Sequence, residues 1–181
     1  GDLTSHHNQL FQIQRSTDNA LSQPTYELLA YHLTPNATTF LMSDNLLTTD
    51  IIGYLGLTQV LSSFQIDDYF FSPCGYSLNA IDQYDYLTIH ITPQQQSSYI
   101  SIISNLNLLT IIPHLLCTLA PRSFDVMTLT NSRHPTNISQ SCPIDYDLSN
   151  QEIRQINQQQ YMHYYNIIAQ EPLLATDAVN N

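Results

Sequence analysis

The sequence predicts an α+β domain: an antiparallel sheet of about seven strands with helices on one face. Three observations carry that prediction. Tyr86–Thr92 alternates, with Leu87, Ile89 and Ile91 on one side and Tyr86, Thr88, His90 and Thr92 on the other, which is the period of a half-buried strand. Leu46, Leu47, Ile51, Tyr54 and Leu55 recur instead at helical spacing. Asn79 to Asp85 holds turn formers between two β-rich runs, the pattern of an antiparallel hairpin.

The elements follow in order. Residues 1–23 are polar and aperiodic, a loose arm with a possible strand near Leu10–Gln14; His6-His7 within it shows no further metal-ligand pattern, and no metal site is assigned. Pro24 introduces a strand at 26–33, and the Pro35-Asn36 turn leads to a second at Thr38–Met42. Ser43-Asp44-Asn45 is a helix-start signal for an amphipathic helix over 45–55, and a short helical turn follows at 58–63. Residues 64–105 then form an antiparallel strand pair and a third strand, with Pro73 and Gly75 marking a bend into the first. The stretch 106–120 reads as a helix packed on the sheet, kinked by Pro113 or beginning its first turn there, with His114 partly buried and structural. A strand at 123–130, a loop over 131–150, a segment at 151–160 that suits helix or strand, and a final strand at Tyr161–Ala169 complete the domain, with a disordered tail over 171–181. The domain itself occupies 24–170.

Composition narrows the function. The formal charge is −11, and the basic residues are all arginines: Arg15, Arg122, Arg133 and Arg154. Such a chain lacks the basic footprint of a nucleic-acid binder and is repelled by an anionic membrane surface. Excess negative charge suits a cationic ligand or a basic partner. No apolar run is long enough to span a membrane, and the N-terminus has no signal-peptide pattern. Cys74, Cys117 and Cys142 are odd in number and lack C-x-x-C spacing, which argues for a reducing, cytoplasmic compartment over a disulfide framework.

The candidate site lies on the central hairpin. With the turn centred between Gln83 and Tyr84, Ser77 falls opposite His90, and a hydroxyl and an imidazole share one sheet face. No third group that would orient the imidazole can be assigned, so a Ser-His-Asp triad is not supported. That face has to meet solvent or another layer, because the two main helices cover only the other one.

The words FFSPCGYSLNAI, YLTIHITP and SSYISIISN resemble, in consecutive order, the second half of the pyruvoyl-dependent S-adenosylmethionine decarboxylases of eukaryotic type. A weaker likeness extends over roughly residues 24–170. The resemblance implies one half of a duplicated αββα sandwich, whose other half packs on the open sheet face. It implies decarboxylation of S-adenosylmethionine for spermidine and spermine synthesis, with a pyruvoyl group made by self-cleavage at a Glu-Ser bond of the first half and serving as electron sink. No Glu-Ser occurs here, since Glu27, Glu152 and Glu171 precede Leu, Ile and Pro; the group therefore has to come from a partner half. By the same resemblance Phe71 stacks on adenine, while Ser77 and His90 assist processing, the imidazole removing a proton. Gln94 stands where the family has a Glu that grips the ribose, and Ile103 where putrescine-activated members carry a buried Glu. Those two departures support an alternative, a catalytically inactive paralogue acting as a regulatory or structural subunit.

Overall fold

The computed structural model describes residues 23–94, 97–134, 138 and 142–170. The polar arm with His6, His7 and the strand at Leu10–Gln14, and the tail over 171–181, lie outside the described residues.

Eight antiparallel strands form one sheet among the described residues: β1 (Thr25–Tyr31), β2 (Gln65–Phe70), β3 (Tyr76–Asp82), β4 (Asp85–Thr92), β5 (Tyr99–Ser104), β6 (Ser123–Thr130), β7 (Tyr146–Gln155) and β8 (Tyr161–Ala169). Their order across the sheet is β2-β3-β4-β5-β1-β6-β8-β7. Helices α1 (Pro35–Leu41), α2 (Thr48–Tyr54) and α3 (Ile112–Leu119) complete the domain. The strands bury Leu28, Leu78, Leu87, Ile89, Ile102, Phe124 and Ile167, and the helices bury Ile51, Leu115, Leu116 and Leu119 in the same core. Burial in β4 follows its alternation: Leu87, Ile89 and Ile91 are buried, while His90 and Thr92 are exposed. The helices therefore share one face of the sheet and leave the other open.

Several local expectations need correction. Thr38–Met42 is not a strand: it lies largely within α1. The Thr34 hydroxyl caps that helix by accepting from the Ala37 N–H at 3.4 Å, and Pro35 opens its first turn. A cap plus a preset φ outweighs the β-rich look of Thr-Thr-Phe. The next helix begins at Thr48, later than Asn45, where the Asp50 carboxylate accepts from the Leu47 N–H at 2.8 Å. Of the two alternatives for Pro113, the first-turn placement holds: a 3₁₀ turn over Leu108–Ile111 precedes α3, and Pro113 sits at the start of that helix. His114 is exposed, not partly buried; its Nε2 lies 3.0 Å from the Tyr54 carbonyl, tying α3 to α2.

Two strands lie outside the expected set, and with Thr38–Met42 removed from it the sheet has eight strands in place of about seven. β2 pairs with β3 at the edge of the sheet. β7 begins inside the expected loop, at Tyr146, and bends through a bulge between Leu148 and Asn150 as it pairs with β8. The turn formers Asp147, Ser149 and Asn150 are tolerated there because an edge strand is hydrogen-bonded on one side only.

Candidate functional site

The two-residue turn Gln83-Tyr84 closes the β3–β4 hairpin, with Asp82 paired to Asp85 and Gln83 at φ 54°. That closure fixes the register, and Ser77 pairs with His90. Their side chains meet on the open face, Ser77 Oγ lying 3.1 Å from His90 Nδ1. The same register runs on across the sheet as Tyr69, Ser77, His90, Ser101, Leu29, Asp125 and Asn166. The sequence alone does not single out Tyr69 or Ser101. Tyr69 was hidden because β2 was not recognised as a strand; Ser101 follows from the alternation of β5 once its register with His90 is known.

Phe71 stands at the end of β2, 51% exposed, with its ring edge-to-face on Tyr69 at a centroid distance of 4.8 Å and 69° between planes. Its N–H donates to the Gly75 carbonyl at 2.9 Å, which closes the β2–β3 connection. Gly75 adopts φ +143°, and a Cβ there would stand 3.4 Å from both the Ile91 carbonyl oxygen and Phe71 Cβ. Cys74, half-buried, lines a neighbouring cleft with Phe71. Gln94 is exposed two residues beyond β4, and its side-chain oxygen accepts from the Ser97 hydroxyl at 2.9 Å. The structure thus joins Ser77 to His90 and Phe71 to Tyr69, while the bond shown for the Gln94 side chain is to its own turn.

The open face is also acidic. Asp125 accepts hydrogen bonds from the Tyr164 hydroxyl at 3.0 Å and from Asn166 Nδ2 at 2.7 Å. Burial, and then the nearby charge of Asp125, push the Tyr31 phenol well above its ordinary range. Glu27 pairs with Ile103, and burial raises its pKa. A carboxyl raised on folding is no burden while protonated and becomes one as pH rises through its folded pKa. Glu27→Gln is therefore expected to stabilise the domain at neutral pH, with the gain fading as pH falls into the ordinary glutamate range. Melting curves across that range check it, and a gain that persists in acid would contradict it. Among the described residues no three His, Cys, Asp or Glu side chains are grouped to hold a metal ion, and no helix is long and apolar enough to cross a membrane.

A family model described as adenosylmethionine decarboxylase matches residues 2–171. The S-adenosylmethionine decarboxylase proenzyme of Drosophila melanogaster is 34% identical over 130 residues, covering 68% of this chain and 37% of that protein. That of Xenopus laevis is 31% identical over 140 residues, covering 74% and 42% respectively. The chain thus spans well under half the length of these relatives. The crystal structure of the Trypanosoma brucei AdoMetDC-delta26 monomer superposes with a TM-score of 0.65 at 24% identity, over 83% of this chain and 66% of that one, a likeness of fold.

Proposed function

The chain belongs to the adenosylmethionine decarboxylase family, and on that premise we propose that it is the half carrying Phe71, Ser77 and His90 in a cytoplasmic S-adenosylmethionine decarboxylase of polyamine synthesis. The observation that carries the proposal is the Ser77–His90 contact at 3.1 Å on an open sheet face, in register with the aromatic corner of Tyr69 and Phe71. A first-half partner covers that face and contributes the serine from which the pyruvoyl group is made. When present, the group supplies the electron sink for loss of carbon dioxide.

The residues of this chain have separable tasks. Phe71 offers a flat π surface to the adenine, and the Tyr69 ring against it limits the directions that surface can take. His90, with Nδ1 beside the Ser77 hydroxyl, keeps Nε2 for a proton from the partner layer. The Ser77 hydroxyl sets the imidazole ring and does not itself take the proton. Glu27 and Asp125 give the face a negative field that favours a sulfonium substrate. Ile103 pairs with Glu27 and cannot itself bind an ammonium, so activation by putrescine at that position is not part of the proposal.

The polypeptide alone is expected to release no labelled carbon dioxide from S-adenosylmethionine, and addition of a first-half chain is expected to start release. Activity of the chain by itself would overturn the proposal. Phe71→Ala is expected to weaken binding of an adenine nucleoside by about 1–3 kcal/mol in the two-half assembly, the range for base–aromatic stacking. Unchanged affinity in a calorimetric titration would make Phe71 ordinary packing.

A second reading, an inactive paralogue that regulates an active decarboxylase, draws on one observation. Gln94 stands where a charged ribose contact is expected and is bonded to Ser97. An amide forgoes the stronger, charge-assisted hydrogen bond to a diol. Under that reading, addition of a first-half chain starts no release.

A further inference from the structure

Exposed apolar side chains are concentrated around one strand. Of the eleven large hydrophobic residues exposed among the described residues, Met42, Leu47, Ile66, Tyr69, Phe70 and Phe71 belong to β2 or to the connections beside it. β2 bonds to β3 and is the last strand on its side, so its outer backbone groups face away from the sheet. Every residue of it except Asp68 is exposed. A cleft of about 350 Å³ opens between the α1–α2 connection and the β2–β3 turn, with Met42, Asp44 and Phe70 in its walls. Ile66, Asp68 and Phe70 lie on the helix side of β2, away from the Ser77–His90 face.

Charge says what fits there. No Lys or Arg occurs between Arg15 and Arg122, while Asp67 and Asp68 lie on β2 and Asp44 lines the cleft beside it. Pairing β2 with a second copy of itself would bring the Asp67-Asp68 pairs together, and like charges across a strand pair destabilise it. Guarding the edge against such pairing explains the aspartates but leaves the exposed Ile66 and Phe70 without a purpose. A basic strand meets both features. Its backbone continues the sheet, its cations lie on the face that carries Asp67, and an apolar side chain on the other face enters the cleft beside Phe70.

We propose that β2 is the docking edge for an extended, basic segment of a partner polypeptide, which adds a strand next to β2. The surface adjoins the open face, since Asp67 lies on the same side of β2 as Tyr69 and Phe71 lines the cleft, but strand addition needs neither a first-half chain nor S-adenosylmethionine.

The probe is a fluorescent ten-residue peptide alternating arginine and valine, titrated into the whole chain by anisotropy, with a glutamate–valine peptide as its counterpart. Expected are saturable binding of the arginine peptide alone, weakening with salt, and slowed amide exchange confined to Gln65–Phe70. Asp67→Lys should weaken binding about fivefold or more, since it removes one exposed ion pair and adds a repulsion of similar size. Ile66→Ser, which leaves the charges in place, should also weaken it and serves where Asp67→Lys disturbs folding. Equal binding of both peptides, no saturable binding, or protection away from β2 would overturn the proposal. So would complete displacement by spermidine at equal total charge, which would make the surface a general sink for cations.

Discussion

His90→Ala, made in an assembly of both halves, is expected to leave the fold intact and to halt maturation of the precursor at its ester stage. The fold should survive because His90 is exposed on β4, and its one side-chain bond shown is to Ser77. Ester formation needs only the shift of an acyl group from nitrogen to the serine oxygen. The elimination that follows needs a base. An imidazole suits that role near neutral pH, and loss of a positioned base typically costs about 10²–10⁴-fold in rate. Hydroxylamine attacks esters and should cleave the stalled precursor, whereas an unshifted amide would resist it. Ser77→Ala should slow maturation less, because the hydroxyl orients the ring and the proton goes to nitrogen. Maturation of His90→Ala at the ordinary rate would make the imidazole structural and favour the inactive-paralogue reading.

The Ser77–His90 pairing was legible in the sequence for a simple reason. The alternation in β4 is strong, and the short turn at Gln83-Tyr84 leaves one register that keeps Leu87, Ile89 and Ile91 inside. β6 and β8 were legible on the same grounds, through SFDVMTLT and YMHYYNIIA. β2 escaped notice because QIDDYF is exposed on both faces, so no contrast between faces marks it. Helix α1 is seven residues long, too short for a helical period to outweigh its β-branched threonines; its evidence lies in the Thr34-Pro35 cap. β7 carries turn formers on an edge, so its first half, up to Asn150, reads as loop and its second half suits helix or strand equally. The roles of Phe71 and Gln94 came from resemblance alone, since no periodicity distinguishes a stacking ring or a ribose contact from a surface side chain. The clustering of Asp125, Tyr164 and Asn166 depends on β6 and β8 being adjacent, which a reading of separate segments does not supply.

Gly75→Ala should damage both stability and binding, for linked reasons. Its φ of +143° lies where L side chains are rarely found, and a Cβ would press at 3.4 Å on the Ile91 carbonyl and on Phe71 Cβ. Residues held in such regions cost of order 1–3 kcal/mol each, so thermal stability should fall by about that amount. The substitution also strains the bond from the Phe71 N–H to the Gly75 carbonyl, which anchors the ring proposed to stack on adenine. Nucleoside affinity measured on folded protein should therefore fall as well. Gly53→Ala gives the contrast: Gly53 lies inside α2, and an added Cβ would meet nothing nearer than Thr58 Oγ1 at 3.9 Å. Replacing a helical glycine by alanine should gain up to about 1 kcal/mol and leave binding unchanged. Equal melting temperatures for the two variants would mean that the β2–β3 connection yields without strain. A Gly75→Ala protein that melts early yet binds nucleoside normally would show that Tyr69, and not the Gly75 backbone, sets the Phe71 ring.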